Sequence, residues 1–309
     1  MTSVSEWQKN NEAHLSAAIK WLRLNLECLA LPPAENLTQS MAEPVNGSVP
    51  APDRWNIFRR KEASPQPASP VTLLTPGNPG DLLRAQLAEA AAALSAAEKV
   101  DPPPALIILS ERLGLSRFEQ QIVLLCAAFE LDTRIANLCA LAHDDPQKPY
   151  PTFALAMAMF DEPTWDALSP HRPLRYLRLL EINQPAAQPL TASSLRADER
   201  ILNFIKGLNE FDDRLASMLV AIESSDIGLP ASQQEIADAI LQDVQSSASG
   251  SHPTLIELTG IDGASKQFVA RWVSSALHFD LYRLTAEVLP ANAAELETLA
   301  RLWQRETLL

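Results

Sequence analysis

The stretch Thr254–Leu277, TLIELTGIDGASKQFVARWVSSAL, restricts the architecture more than any other part of the chain. Leu255, Ile256, Leu258 and Thr259 form a short apolar, β-prone run and predict a buried strand. The turn Gly260-Ile261-Asp262-Gly263-Ala264-Ser265 follows, then Lys266. Phe268, Val269, Trp272, Val273, Ala276 and Leu277 recur on one face of a helix. Strand, glycine turn, lysine and helix is the setting of a phosphate-binding loop, in which backbone N–H groups and the helix N-terminus aim at an anion. Two positions depart from G-x-x-x-x-G-K-[ST]. Ser265 stands where the second glycine belongs, and its side chain resists the close approach glycine allows. Gln267 stands where a hydroxyl should meet Mg²⁺, and an amide oxygen is a poor replacement beside a phosphate. The expectation is a degenerate ATP pocket built from Gly260, Asp262, Gly263, Ala264, Ser265, Lys266 and Gln267, with magnesium poorly held. The alternative is a plain strand–turn–helix with a surface lysine.

Upstream, the region 81–222 has the pattern of a packed helical domain. Ala105–Leu113 ends at Gly114, a helix stop. Ser116 with Glu119 three residues on is a capping box. The run from Phe118 to Phe129 is apolar nearly all round, which makes that helix central. Leu131–Arg134 predicts a cap or bend, and Ile135–Leu141 continues as helix. Thr152 caps a third helix, FALAMAMF. Strands are predicted over Leu179–Ile182 and Leu190–Ala192, and helices over Pro173–Leu180, Asp198–Leu208 and Asp212–Leu219. Three helices and a two-stranded hairpin is the order of a winged helix. Such folds lay the third helix in the DNA major groove, but Phe153–Phe160 holds no Arg, Lys, Asn or Gln to read a base edge. Asp101–Pro230 carries 11 basic and 18 acidic residues, which repels phosphate. Arg172, Arg175 and Arg178 form its one basic cluster, either a contact for phosphate or acidic partners or a solvated or structurally paired face.

The remainder sets the organisation. Residues 1–30 predict an amphipathic helix, its apolar stripe running from Trp7 through Leu15 and Leu22 to Leu29; it docks on a partner or on its own chain. Residues 31–80 are rich in Pro and Ser and predict a mobile linker, interrupted by RWNIFRRK at 54–61. Asp81–Val100 is alanine-rich and helix-prone. Residues 223–251 predict a linker, the helix Ala231–Val244 and the flexible joint SSASGS; residues 252–309 add a strand at His278–Leu284 and a helix at Asn292–Leu309. A net charge of −13 opposes nucleic acid and anionic membranes. Cys28, Cys126 and Cys139 are scattered, in the manner of small buried hydrophobes. The absence from the sequence of an apolar leader or long apolar span predicts a cytoplasmic protein. The five histidines show no metal-ligand spacing.

Taken in order, GLSRFEQQIVLLCAAFELDTRIANLCA, DPQKPYPTFALAMAMF, ALSPHRPLRYLRLLEI and LRADERILNFIKGL resemble the N-terminal winged-helix region of a bacterial group of tandem AAA+ ATPases. Some of these are encoded with contractile injection systems. The resemblance implies a mainly α chain: a winged-helix (α+β) domain, then the start of a P-loop α/β (AAA+) module with GIDGASKQ as its damaged first motif. It further implies ATP, protein partners and, in the full-length protein, a ring homo-oligomer that remodels protein assemblies. The chain stops before the later strands such a module needs, so an N-terminal fragment that does not itself hydrolyse ATP is expected.

Overall fold

The computed structural model describes residues 2–31, 79–223, 228–247 and 255–309. Residues 32–78 of the expected 31–80 linker, with the RWNIFRRK island, and most of the SSASGS joint lie outside these residues, as does the middle of the 223–230 linker.

Helix α1 (Thr2–Ala30) lies antiparallel on α2 (Pro79–Glu98). Its stripe is fully engaged with the chain's own core: Leu15, Ala18, Leu22 and Leu26 are buried with Leu94, Leu106 and Ile122. The open choice between a partner and the same chain is thereby decided. Polar contacts fix its register. Trp7 Nε1 donates to the Pro103 carbonyl at 3.0 Å; Asn11 donates to the Ile205 carbonyl and accepts from Ala105 N–H. Gly207, at φ 87°, leaves room for the Trp7 ring, which a Cβ there would meet at 3.1 Å.

The helices that follow are α3 (Ala105–Leu113), α4 (Arg117–Leu131), α5 (Arg134–Ala142) and α6 (Phe153–Met159). Gly114 closes α3 in the left-handed region, the Ser116–Glu119 capping box opens α4, and Thr152 accepts from Leu155 N–H to open α6. Ten residues of α4 are buried, which makes it the pillar of the core. Asp132, in extended conformation, separates α4 from α5. A single turn, α7 (Pro173–Tyr176), leads into β1 (Leu180–Asn183), which pairs antiparallel with β2 (Ser194–Ala197), Leu180 opposite Ala197 and Ile182 opposite Leu195. Leu195 N–H also bonds the Pro151 carbonyl, pinning the hairpin to the start of α6.

Two local expectations are corrected here. Leu190–Ala192 is a 3₁₀ turn, and the second strand lies a few residues later. The strand falls where burial alternates, Leu195 and Ala197 inward with Arg196 outward; Pro189 and the turn precede it. The helix expected over Pro173–Leu180 ends at Tyr176, and Arg178 takes the left-handed φ of 52°.

Beyond the hairpin come α8 (Glu199–Ile205), α9 (Asp213–Ala216) and β3 (Leu219–Ile222). The helix expected over Asp212–Leu219 is thus one turn followed by a strand. Helix α10 (Ala231–Ser247) packs on α11 (Gly263–Ala276) around Ala237, Val269 and Val273. Strand β4 (Leu281–Leu284) pairs antiparallel with β3, Leu219 opposite Leu284. Helix α12 (Ala293–Leu308), capped by Asn292, then turns back onto the winged helix, where Leu308 and Leu309 join the main core.

The strand expected over Leu255–Thr259 is not formed. Those residues have no ladder partner among the described residues, and Leu255 is 96% exposed. An apolar run supplies strand propensity but not the neighbour that satisfies its backbone. Among the described residues the sheets are two antiparallel pairs, with no parallel pairing.

Candidate functional site

The seven residues singled out in the sequence lie together, on the loop before α11 and in its first turn. Their donors are already committed. Asp262 is the helix N-cap: its carboxylate accepts from Ala264 N–H at 3.0 Å and from the Ser265 hydroxyl. Those hydrogen bonds, Ser265 first, hold the Asp262 carboxyl below its usual range. Lys266 Nζ donates to the Gly260 carbonyl at 3.0 Å, folding the lysine back on its own loop. Gln233 of α10 donates to the Ser265 hydroxyl at 3.0 Å. Gly260, at φ 136°, and Gly263 both face open space, so no concave wall encloses the loop at these points. A phosphate here would meet a fixed carboxylate at the helix N-terminus, where its own charge is wanted. In this arrangement the residues do not fit a phosphate, and the strand that would carry the loop is missing.

The second sequence candidate, the arginine cluster, is consumed internally. Arg172 is held by Glu119, which is fully buried and also caps α4, and by Asp166 at 3.3 Å. Arg175 donates to the Leu168 carbonyl at 2.7 Å, and Arg178 to the Thr298 hydroxyl at 2.9 Å. The paired-face reading holds for all three. Helix α6 presents no hydrogen-bonding side chain, and Phe153, Leu155 and Ala156 are buried.

The densest charge constellation escaped the sequence reading. Arg305 of α12 is completely buried and donates to Asp198, to Asp212 and to the Arg178 carbonyl. Asp198 and Asp212 are themselves the N-caps of α8 and α9, accepting from Arg200 and Arg214 N–H. Arg214 closes the cluster, reaching Asp198 at 2.7 Å and Asp212 at 2.6 Å. Beside it Arg200 grips Glu306 through both carboxylate oxygens, at 3.1 and 3.0 Å. Burial lowers the pKa of Arg305 and raises that of Glu306. Burial also acts to raise Asp212, but Arg214 and Arg305 outweigh it and leave that carboxyl low. The only local signals were D-x-R, at Asp198–Arg200 and Asp212–Arg214, each an N-cap with an arginine two residues on. Nothing in their spacing points to a helix about a hundred residues away. Asp198, Arg200, Asp212 and Arg214 line a cavity of about 330 Å³ together with Glu181, Glu199 and Glu210. The arrangement is structural, since every central carboxylate is matched by an arginine.

No group of three or more metal-ligating side chains is found among the described residues, and no helix among them is long and apolar enough to cross a membrane. No curated protein and no solved structure matches the chain. A family model, "winged helix domain, variant", matches residues 8–219, which takes in α1, the four-helix core and the β1–β2 hairpin. That match spans well over half of the chain, and the chain belongs to the variant winged-helix domain family.

Proposed function

We propose that this winged helix binds protein rather than DNA, and that it serves as the N-terminal, substrate- or partner-engaging part of an AAA+ ATPase that remodels protein assemblies. The observation that carries the reading is the chemistry of the surface a DNA-binding winged helix would use. Helix α6 offers no base-reading side chain, and Arg172, Arg175 and Arg178 are spent on Glu119, a carbonyl and Thr298. The chain's net charge of −13 acts in the same direction. The ATPase part rests on the resemblance of the winged-helix phrases, as do the ring assembly and a cytoplasmic setting.

Within that reading the 260–267 loop is a scaffold or a weak regulatory contact. The Asp262 carboxylate stands where a phosphate would sit, so MgATP binds the chain no tighter than about 1 mM. The chain alone does not turn ATP over.

The test has two arms. Fluorescence anisotropy with duplex DNA across a salt series is expected to give no saturable complex; a salt-sensitive one would mark a DNA-binding protein. Crosslinking of the tagged chain in its own host, read by mass spectrometry, is expected to enrich a defined protein partner. Enrichment of none sinks the protein-binding reading.

A further inference from the structure

Most arginines of this fold are tied to carboxylates or carbonyls, as an excess of acid would lead one to expect. Lys20 and Arg23 of α1 are exceptions. No side-chain ion pair or hydrogen bond joins either of them to another described residue, although Arg23 acts through space on Asp132. They lie three residues apart on the helix face that also carries Ser16 and Ile19. Opposite them, Leu131, Asp132, Thr133 and Arg134 turn from α4 into α5, and between the two walls runs an open groove of about 650 Å³. The Thr133 hydroxyl does not cap the helix it precedes. Arg134 is mostly exposed, gripped by Asp132 through two nitrogens at 2.8 Å.

We propose that this groove binds an acidic segment of a protein partner, whose Asp or Glu side chains pair with Lys20 and Arg23 over the apolar floor of Ile19 and Leu131. The assignment deepens the protein-binding reading above and rests on it. Arg23 feels Asp132 only through space, and that carboxylate is already gripped by Arg134, so the groove keeps uncompensated positive charge, which gives the sign of the ligand. The carboxylates of Asp132 and Glu27, both close to Arg134, give its class. A nucleic-acid backbone brings negative charge at every step and would be pressed against those two groups. A peptide places carboxylates only where the cations are and neutral side chains elsewhere. The open shape and the two apolar side chains suit a stretch of chain better than a lone ion.

The experiment is anisotropy of a fluorescein-labelled Glu/Leu peptide titrated with the full chain, alongside the same peptide with Gln for Glu and a duplex DNA. Saturable binding of the acidic peptide, weakened by NaCl and absent for the Gln peptide, is expected. Lys20→Glu with Arg23→Glu should weaken it about tenfold or more, while Lys99→Glu with Lys206→Glu, an equal change in net charge at other exposed lysines, should leave it within about twofold. The conservative pair Lys20→Arg with Arg23→Lys should keep binding, and thermal melts of all three variants should match the wild type. No saturable binding, equal loss in both reversed pairs, or tighter binding of the DNA overturns the proposal. If the partner crosslinked above survives the Lys20/Arg23 reversal, the groove assignment falls and the broader reading stands. If nothing is crosslinked by the wild type, the broader reading falls first.

Discussion

His14 sits at the heart of the α1–α2–α4 junction, completely buried, and neither ring nitrogen has a hydrogen-bond partner among the described residues. Burial pushes its pKa down; Glu98 pulls it up and Arg117 adds to the fall. The folded protein therefore prefers the neutral ring. Above the ordinary histidine value of about 6.5 both folded and unfolded chains are neutral there, and stability is at its full level. As pH falls through that value the unfolded chain takes a proton that the folded one refuses, and stability is lost. His143 is lowered as well, burial first, and adds a slope of the same sign. Urea midpoints measured from pH 7.5 to 5.5 should fall with pH, and His14→Leu should flatten, without abolishing, that slope. Gly207 is a second single-residue determinant. With φ at 87° and the Trp7 ring 3.1 Å from any added Cβ, Gly207→Ala should destabilise by about 1–3 kcal/mol in chemical denaturation. Both residues were plain in the sequence as letters only. A histidine or a glycine does not announce its neighbour when that neighbour is far off along the chain.

At the scale of elements, the C-terminal helix is held by buried charge as well as by apolar contacts. Leu299 and Leu302 cluster with Leu215, Leu308 and Leu309 reach the main core, and Arg305 enters a socket made by two N-caps. Arg305→Met should cost about 3–5 kcal/mol, because Asp198 and Asp212 would keep their charge with one arginine fewer between them. Adding Asp198→Asn and Asp212→Asn should recover much of that loss, since asparagine still caps a helix and Arg214 is free to reach water. Equal Tm values for the single and triple variants would show that the buried charge is not the cause. Elements with a local signature were readable beforehand: the capping box at Ser116, the stop at Gly114 and the cap at Thr152 all lie where their letters place them. Those that depend on a distant partner were not. Leu219, expected to end a helix, instead opens the strand Leu219–Ile222 because β4 is beside it. Leu255–Thr259 reads as a strand and is none for want of a neighbour.

For the whole molecule, one continuous core runs from α1 through α8 and takes in Leu308 and Leu309, while α10 with α11, and α9 with α12, keep small clusters of their own. Hydrogen exchange should divide the chain in the same way, with α4 amides opening only with global unfolding and those of α10–α11 much earlier. Thiol chemistry offers a second check. Burial raises all three cysteines, Cys139 to about 12, and only Cys28 is partly accessible. A thiol reagent should thus modify Cys28 alone, and slowly, in the native protein, and all three in denaturant. The winged-helix class was legible from helix order and hairpin. The chemistry of the 260–267 loop was legible only as a motif, since the letters do not say that Asp262 and Lys266 satisfy the loop from within. One consequence follows from the pair Asp198 and Asp212. Each begins a helix and also grips the guanidinium of the last one, so loosening α12 frays the starts of α8 and α9 at the same moment. A tug on the final helix is thereby felt at the wing, and the two ends of the fold answer to one knot.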